Sequence, residues 1–428
     1  MKQTIFPIPK TMRLQGALRV PGDKSISHRA LILAALARDQ TLIRGLAPGR
    51  DVDSTIRCLS GLGVHLFRRD DTCLVRGQGL YGLKRPSGEL DAGNSGTTLR
   101  LLAGVLAAQP FDSVLTGDAS LRRRPMKRIL DPLNRRGARI FCQDGYPPLR
   151  VSGSALGPLK YGSTLASAQV KSCVLLSGLY AAGETVYTEP RASRDHTERL
   201  LTRFGVPVKT RGRCVCLTGP AELNACRLTI PGDISSAAFF MAAALLLPNS
   251  DIYLTDVGLN PTRLGWVDVV RKMGGRVDIV HEDDGWEPRG TLRVRASRLR
   301  GVTVEGDLIP RLIDELPILA VLASQAHGET VVRDAAELRV KETDRIEAVV
   351  ENLGKLGVPA KSLPDGFRIT GPASLRGGEC DSFGDHRTAM AMAVAGLKAE
   401  SPVAINGWEV VGVSCPAFLD NLRSLIVE

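Results

Sequence analysis

The chain is 428 residues long with a formal net charge of +11, 43% hydrophobic residues and only 4% aromatic ones, which predicts two or three domains with largely aliphatic cores. Its basic residues are spread along the chain with no ring-rich basic segment, which argues against a nucleic-acid surface and favours small anionic substrates. The longest apolar run, 237–247, falls well short of the ~20 residues a membrane span needs. The start, Met1-Lys-Gln-Thr-Ile5, is unlike a signal peptide, and nine cysteines without metal-ligand spacing read as reduced thiols, so the expectation is a cytoplasmic protein.

In chain order, Pro21-Gly-Asp-Lys-Ser-Ile-Ser-His-Arg29 feeds an apolar helix predicted over 27–37. A helix apolar on every face must be buried, and its free first-turn N–H groups and macrodipole favour anions beside them. Five further apolar helices are predicted over 96–108, 168–182, 236–247, 314–325 and 386–397. Their entry residues Ser25, Ser95, Ser167, Ser235, Asp314 and Asp385 recur with a period near seventy. The phrase Pro21-Gly-Asp returns as Pro231-Gly-Asp, 210 positions on.

A short strand is predicted after each apolar helix, and after the first five an amphipathic helix closing on glycine, over 53–63, 125–137, 196–205, 263–274 and 343–357. Pro125 suits the first turn of the second of these, and a hairpin follows each. The sixth copy has no hairpin of its own, and the run 12–20 is expected to complete it. The repeats predict two domains of three units each, residues 21–231, and residues 1–20 with 232–428. Parallel buried helices would gather their positive ends around a cleft, where a polyanion is attracted.

The chemistry-bearing residues sit at those helix entries. Lys24 and Arg29 supply charge, and Ser25 can cap the helix or bond an anion. Gly93-Asn-Ser-Gly96 lets backbone approach a ligand closely, and Arg124 lies just ahead of an amphipathic helix. Asp314 reads equally well as an N-cap or as an acid–base group. Lys341, Glu342 and Arg345 precede one helix, and Arg387 opens another. Neither a P-loop, a dinucleotide fingerprint nor a serine–histidine–acid arrangement is present. Cations with a few carboxylates suit group transfer between two anionic substrates, with no metal or cofactor called for.

Pro21-Gly-Asp-Lys-Ser25, Gly93-Asn-Ser-Gly-Thr97, Arg124-Pro125, Ser167-Ala-Gln169, Arg194-Asp-His196, Asp314-Glu315, Arg339-Val-Lys-Glu342 with Arg345, and Asp385-His-Arg387 together resemble the enolpyruvyl transferase family over essentially the whole chain. The resemblance implies an α/β fold of two similar domains, each of three βαβαββ units around buried parallel helices (an inside-out α/β barrel), closing on substrate. It implies transfer of the enolpyruvyl group of phosphoenolpyruvate to the 5-hydroxyl of shikimate 3-phosphate, on the route to chorismate and aromatic amino acids, by a monomer without nucleic-acid or membrane partners. Carried over by residue, Lys24, Ser25, Arg29, Ser167, Ala168, Gln169, Arg194, Asp314 and Lys341 are the implied shikimate 3-phosphate contacts. Lys24, Gly96, Arg124, Gln169, Arg345 and Arg387 are the implied phosphoenolpyruvate contacts, and Asp314, Glu342 and Lys24 the catalytic groups.

Two departures, Ala168 within Ser167-Ala-Gln169 and Val413-Ser-Cys-Pro416 where many members carry a lysine, resemble a second class of these enzymes. The rival within the family acts on UDP-N-acetylglucosamine and usually has a cysteine where this chain reads Gly117-Asp-Ala-Ser-Leu-Arg122. A basic nucleic-acid-binding repeat protein is the non-enzymatic alternative.

Overall fold

A computed structural model of the chain describes residues 1–7, 9 and 11–428. It divides into two compact units, Gly22–Ile230, and Met1–Pro21 with Pro231–Glu428, so that Pro21 and Pro231 both belong to the second. Each unit is built on three apolar helices that pack on one another. In the first they are Lys24–Leu36, Gly96–Leu106 and Ala168–Gly178, and in the second Ile234–Leu246, Leu316–Gln325 and His386–Lys398. Every residue from Ile26 to Leu36 is buried, as an all-round apolar helix demands. The Gly96 and Ala168 helices approach so closely that a Cβ on Gly104 would lie 2.5 Å from the Cys173 carbonyl oxygen.

Five of the six apolar helices have a side-chain N-cap, from Asp23, Ser95, Ser167, Asp233 and Asp385. The first and fourth helices thus begin before the expected serines, because Asp23 and Asp233 take the capping bond. The fifth begins after the short Leu308–Leu312 helix, with Glu315 at the N-cap position and no side-chain capping bond, so Asp314 is not a cap. Five amphipathic helices, Arg50–Gly61, Lys127–Arg135, His196–Arg203, Gly265–Lys272 and Arg345–Lys355, flank these. Each is followed by a glycine with φ between 83° and 96°, the left-handed stop expected of them. Pro125 lies outside its helix, which instead contains Pro132.

The first five repeats form small sheets in one order: the strand before the apolar helix, the parallel strand after it, then the hairpin in reverse. The third copy shows it with Leu159–Gly162, Gly183–Thr188, Cys214–Gly219 and Lys209–Arg211. Where the chain passes between units, the pattern is exchanged. Arg13–Arg19 leads into the Lys24 helix but pairs in parallel with Asp251–Gly258, in the fourth repeat of its own unit. Arg227–Thr229 leads into the Ile234 helix but pairs with Gln40–Arg44. The run 12–20 therefore does not complete the sixth copy. That sheet takes the four-residue strand Lys2–Ile5, whose length matches Val403–Asn406, while the seven-residue strand needs the eight-residue Asp251–Gly258. At the crossing a Cβ on Gly22 would lie 1.7 Å from the Gly45 carbonyl oxygen, so only glycine passes.

The first unit's helices bury leucine, alanine and valine. The second is less purely aliphatic than composition suggests, since Phe239, Phe240, Trp408 and Phe418 form one ring cluster. All nine cysteines are free thiols.

Candidate active site

In the unit Gly22–Ile230, the starts of all three apolar helices are tied together by polar side chains. With Asp23 accepting from the Ile26 N–H at 2.9 Å, Ser25 is released from capping, and its hydroxyl accepts from Arg194 Nη1 at 3.1 Å. Lys24 Nζ pairs with Asp51 at 2.9 Å. Arg29 is buried, and each nitrogen of its guanidinium donates inside the unit. Nη1 reaches the Ser25 carbonyl, Nη2 the Ala168 carbonyl and Ser172 hydroxyl, and Nε the Ser172 and Thr197 hydroxyls. Arg29 thereby joins the Lys24 helix to the helix that Ser167 caps.

Gln169 joins that helix to the next one. Its Oε1 accepts from Arg100 Nη1 at 2.7 Å and its Nε2 donates to Thr97 Oγ1 at 2.9 Å. Arg124 is buried against Asn94, donating to its carbonyl at 3.2 Å and its side-chain oxygen at 2.6 Å. A Cβ on Gly96 would stand 2.7 Å from Arg100 Nη1 and 3.6 Å from Arg124 Nη1. Two guanidinium groups and a bare stretch of backbone thus make one cationic corner, suited to carboxylate or phosphate oxygens.

In the other unit, Asp314, Lys341, Glu342, Arg345, Asp385 and Arg387 form a single ionic cluster. Arg345 is the hub. Its Nε donates to Asp385 at 2.6 Å, Nη1 to Asp314 at 3.2 Å and Nη2 to Glu342 at 2.7 Å. Burial opposes the Arg345 charge, but the carboxylates of Asp385, Glu342 and Asp314 outweigh it and raise its pKa. Arg387 Nη1 donates to the Asp314 carbonyl at 3.2 Å, and Nη2 stands 3.5 Å from its carboxylate. Lys341 Nζ lies 3.9 Å from the same carboxylate. Desolvation lowers the Lys341 pKa, with Asp314 working the other way.

The cluster holds three cations and three carboxylates, so it is formally neutral. Exposure is unequal within it: Arg345 is closed off at 1% of its side-chain surface, whereas Glu342 keeps 19% and Lys341 29%. The hub orders the group, and the open members can meet a ligand.

The structure thus gathers Lys24, Ser25, Arg29, Ser167, Ala168, Gln169 and Arg194, with Gly96 and Arg124 beside Arg100, at the helix starts of one unit. It gathers Asp314, Lys341, Glu342, Arg345 and Arg387 in the other. Spacing arguments pass over Asp51, Arg100, Lys171 and Glu189. The signal for Arg100 and Lys171 is that each interrupts an otherwise apolar helix, where a charge must be paired. Among the described residues, no His, Cys, Asp and Glu side chains cluster in threes as a metal site needs, and no helix is long and apolar enough to cross a membrane.

With that geometry in hand, comparison with known proteins is decisive. The family model described as EPSP synthase (3-phosphoshikimate 1-carboxyvinyltransferase) matches residues 8–422. The 3-phosphoshikimate 1-carboxyvinyltransferase of Desulfitobacterium hafniense is 51% identical over 416 residues, covering 96% of each chain. That of Desulforudis audaxviator is 51% identical over 419 residues, covering 97% of this chain and 98% of its own. The structure of EPSP synthase from Acinetobacter baumannii superposes over 100% of both chains with a TM-score of 0.87 at 40% identity. The enolpyruvyl transferase NikO from Streptomyces tendae shares the fold, with a TM-score of 0.79 at 19% identity over 99% and 98% of the two chains.

Proposed function

The chain belongs to the EPSP synthase (3-phosphoshikimate 1-carboxyvinyltransferase) family, and from that premise we propose how its residues divide the work. The reaction moves the enolpyruvyl group of phosphoenolpyruvate to the 5-hydroxyl of shikimate 3-phosphate and releases phosphate. Lys24, Ser25, Arg29, Arg194 and the Ser167-Ala168-Gln169 turn hold shikimate 3-phosphate, with Asp314 and Lys341 also touching it. Lys24, Gly96, Arg124, Gln169, Arg345 and Arg387 serve phosphoenolpyruvate.

Addition requires the 5-hydroxyl to lose a proton as its oxygen bonds to C2 of phosphoenolpyruvate, while the methylene carbon gains one. Asp314 takes the first proton, and Glu342, in its protonated form, supplies the second. The tetrahedral adduct keeps its carboxylate and phosphate charges throughout, and fixed cations stabilise them better than mobile water would. Expulsion of phosphate then returns a methyl proton to the Glu342 carboxylate and regenerates the double bond, while the proton held by Asp314 departs with the phosphate. Lys24, at the open start of a helix, neutralises the anions from the first encounter onward.

The observation that carries the functional assignment is 51% identity to named 3-phosphoshikimate 1-carboxyvinyltransferases over nearly the full length of both chains. The test is phosphate release from phosphoenolpyruvate with each candidate acceptor. Release is expected with shikimate 3-phosphate and none with UDP-N-acetylglucosamine; the opposite pattern would overturn the assignment.

A further inference from the structure

The first unit also holds a group of charges to which none of the roles above falls. Lys171 sits one turn into the Ala168–Gly178 helix, whose other residues apart from Gln169 are apolar or small, and is 2% exposed. Its ammonium donates to Glu189 Oε1 at 3.0 Å and to the Ser193 carbonyl at 3.2 Å, and it pairs with Glu198 Oε1 at 2.8 Å. Glu189 follows the strand Gly183–Thr188, and Glu198 lies in the first turn of the His196–Arg203 helix. They are the two ends of the segment 189–198, which carries Arg194.

One cation therefore grips both ends of the segment. Glu189 tightens the hold, accepting from the Ser193 N–H at 2.9 Å and from the Ser193 hydroxyl at 2.6 Å. The next residue is Arg194, whose Nη1 stands 3.1 Å from Ser25 Oγ. On the far side, Thr197 meets Ser172 at 2.6 Å and Arg29 at 2.9 Å. Burial works against the Lys171 charge, but the carboxylates of Glu198 and Glu189 prevail and raise its pKa, so the ammonium persists.

Stability alone does not call for this arrangement. A buried ion pair is often matched or bettered by apolar residues of the same volume, whereas its fixed, directional bonds specify position. We infer that Lys171 is a positioning residue: by clamping both ends of the segment 189–198 against the helix that Ser167 caps, it sets where the Arg194 guanidinium stands for the phosphate group of the acceptor. The inference rests on the reading of Arg194 as a contact of shikimate 3-phosphate.

The test is a double-mutant cycle of Lys171→Met with Arg194→Ala, with affinity for shikimate 3-phosphate measured by calorimetry alongside both KM values and kcat. Lys171→Met is expected to raise the KM for shikimate 3-phosphate by about tenfold while the phosphoenolpyruvate KM and kcat move by less than about threefold. Lys171→Arg should recover part of the loss. In the Arg194→Ala background, adding Lys171→Met should cost less than about twofold more, since two residues acting through one contact are not additive.

Full additivity, or equal loss toward both substrates, would overturn the clamp while leaving the Arg194 contact standing. An Arg194→Ala variant with unchanged affinity would overturn that contact and the clamp with it. If Lys171→Met alone does not fold, Lys171→Met with Glu198→Gln keeps the formal charge of the trio and leaves Glu189 its Ser193 donors; the same cycle on that pair decides the question.

Discussion

Asp314 illustrates what a residue type and position can and cannot tell. At the mouth of an apolar helix an aspartate is ordinarily a cap, yet here the N-cap position is Glu315 and the Asp314 carboxylate instead faces Arg345, Arg387 and Lys341. Spacing cannot disclose this, because the partners come from segments roughly thirty to seventy positions away that only the fold brings close. Ser25 shows the reverse case. With Asp23 two residues earlier, two capping residues compete, and the one that loses the cap turns its hydroxyl to Arg194 instead. If Asp314 and Glu342 move the two protons, Asp314→Asn and Glu342→Gln keep shape but remove the transferring oxygen. Each is expected to lower kcat by about 10²–10⁴-fold, read by steady-state phosphate release, with thermal denaturation showing that the variants remain folded. Near-normal turnover in either would remove its assigned role.

The six apolar helices were the most legible elements, because a segment apolar all round has only one place to go. Their polar interruptions were the least legible. His28 lies one turn into the first helix and is fully buried. Its Nδ1 meets Thr55 Oγ1 at 2.6 Å, Thr55 meets Thr98 at 2.6 Å, and Thr98 donates to Ser95 Oγ at 2.8 Å. A chain of hydroxyls thus links the first helix to the cap of the second. Burial, with Lys24 and Arg29 adding to it, holds the His28 pKa well below its ordinary 6.5. The folded chain refuses a proton that the unfolded chain accepts below that value, so His28 costs stability as pH falls through and beneath about 6.5, with a limiting slope of ~1.4 kcal/mol per pH unit. Urea midpoints of the wild type and His28→Asn, measured between pH 5 and 8, should diverge in slope, the variant being flatter on the acid side. Parallel lines would mean that the ring is protonated in the fold.

At the scale of the molecule, the sixfold period told how many copies to expect but not which strands would pair. Alternation along Arg13–Arg19 marks a strand without naming its neighbour, and the partner, Asp251–Gly258, begins more than two hundred residues later. That exchange makes the second unit dependent on both ends of the chain. Arg13–Arg19 is interior to a five-stranded sheet, between Asp251–Gly258 and Ile426–Val427, and Ile5, Leu14 and Val20 are all buried in that unit's core. Burying three such side chains contributes roughly 5–9 kcal/mol, comparable with the whole stability of an ordinary domain, about 5–15 kcal/mol. Removal of residues 1–20 should therefore unfold the second unit, while Gly22–Ile230, which takes no strand from the deleted segment, stays folded. Limited proteolysis read by mass spectrometry should find a protected fragment spanning about 22–230 and rapid loss of the remainder. Turnover should vanish with it, since Asp314 and Glu342 lie in the lost unit. A truncated chain protected along its full length and still releasing phosphate would show that the N-terminal strands are not needed to build the ionic cluster of Asp314 and Glu342.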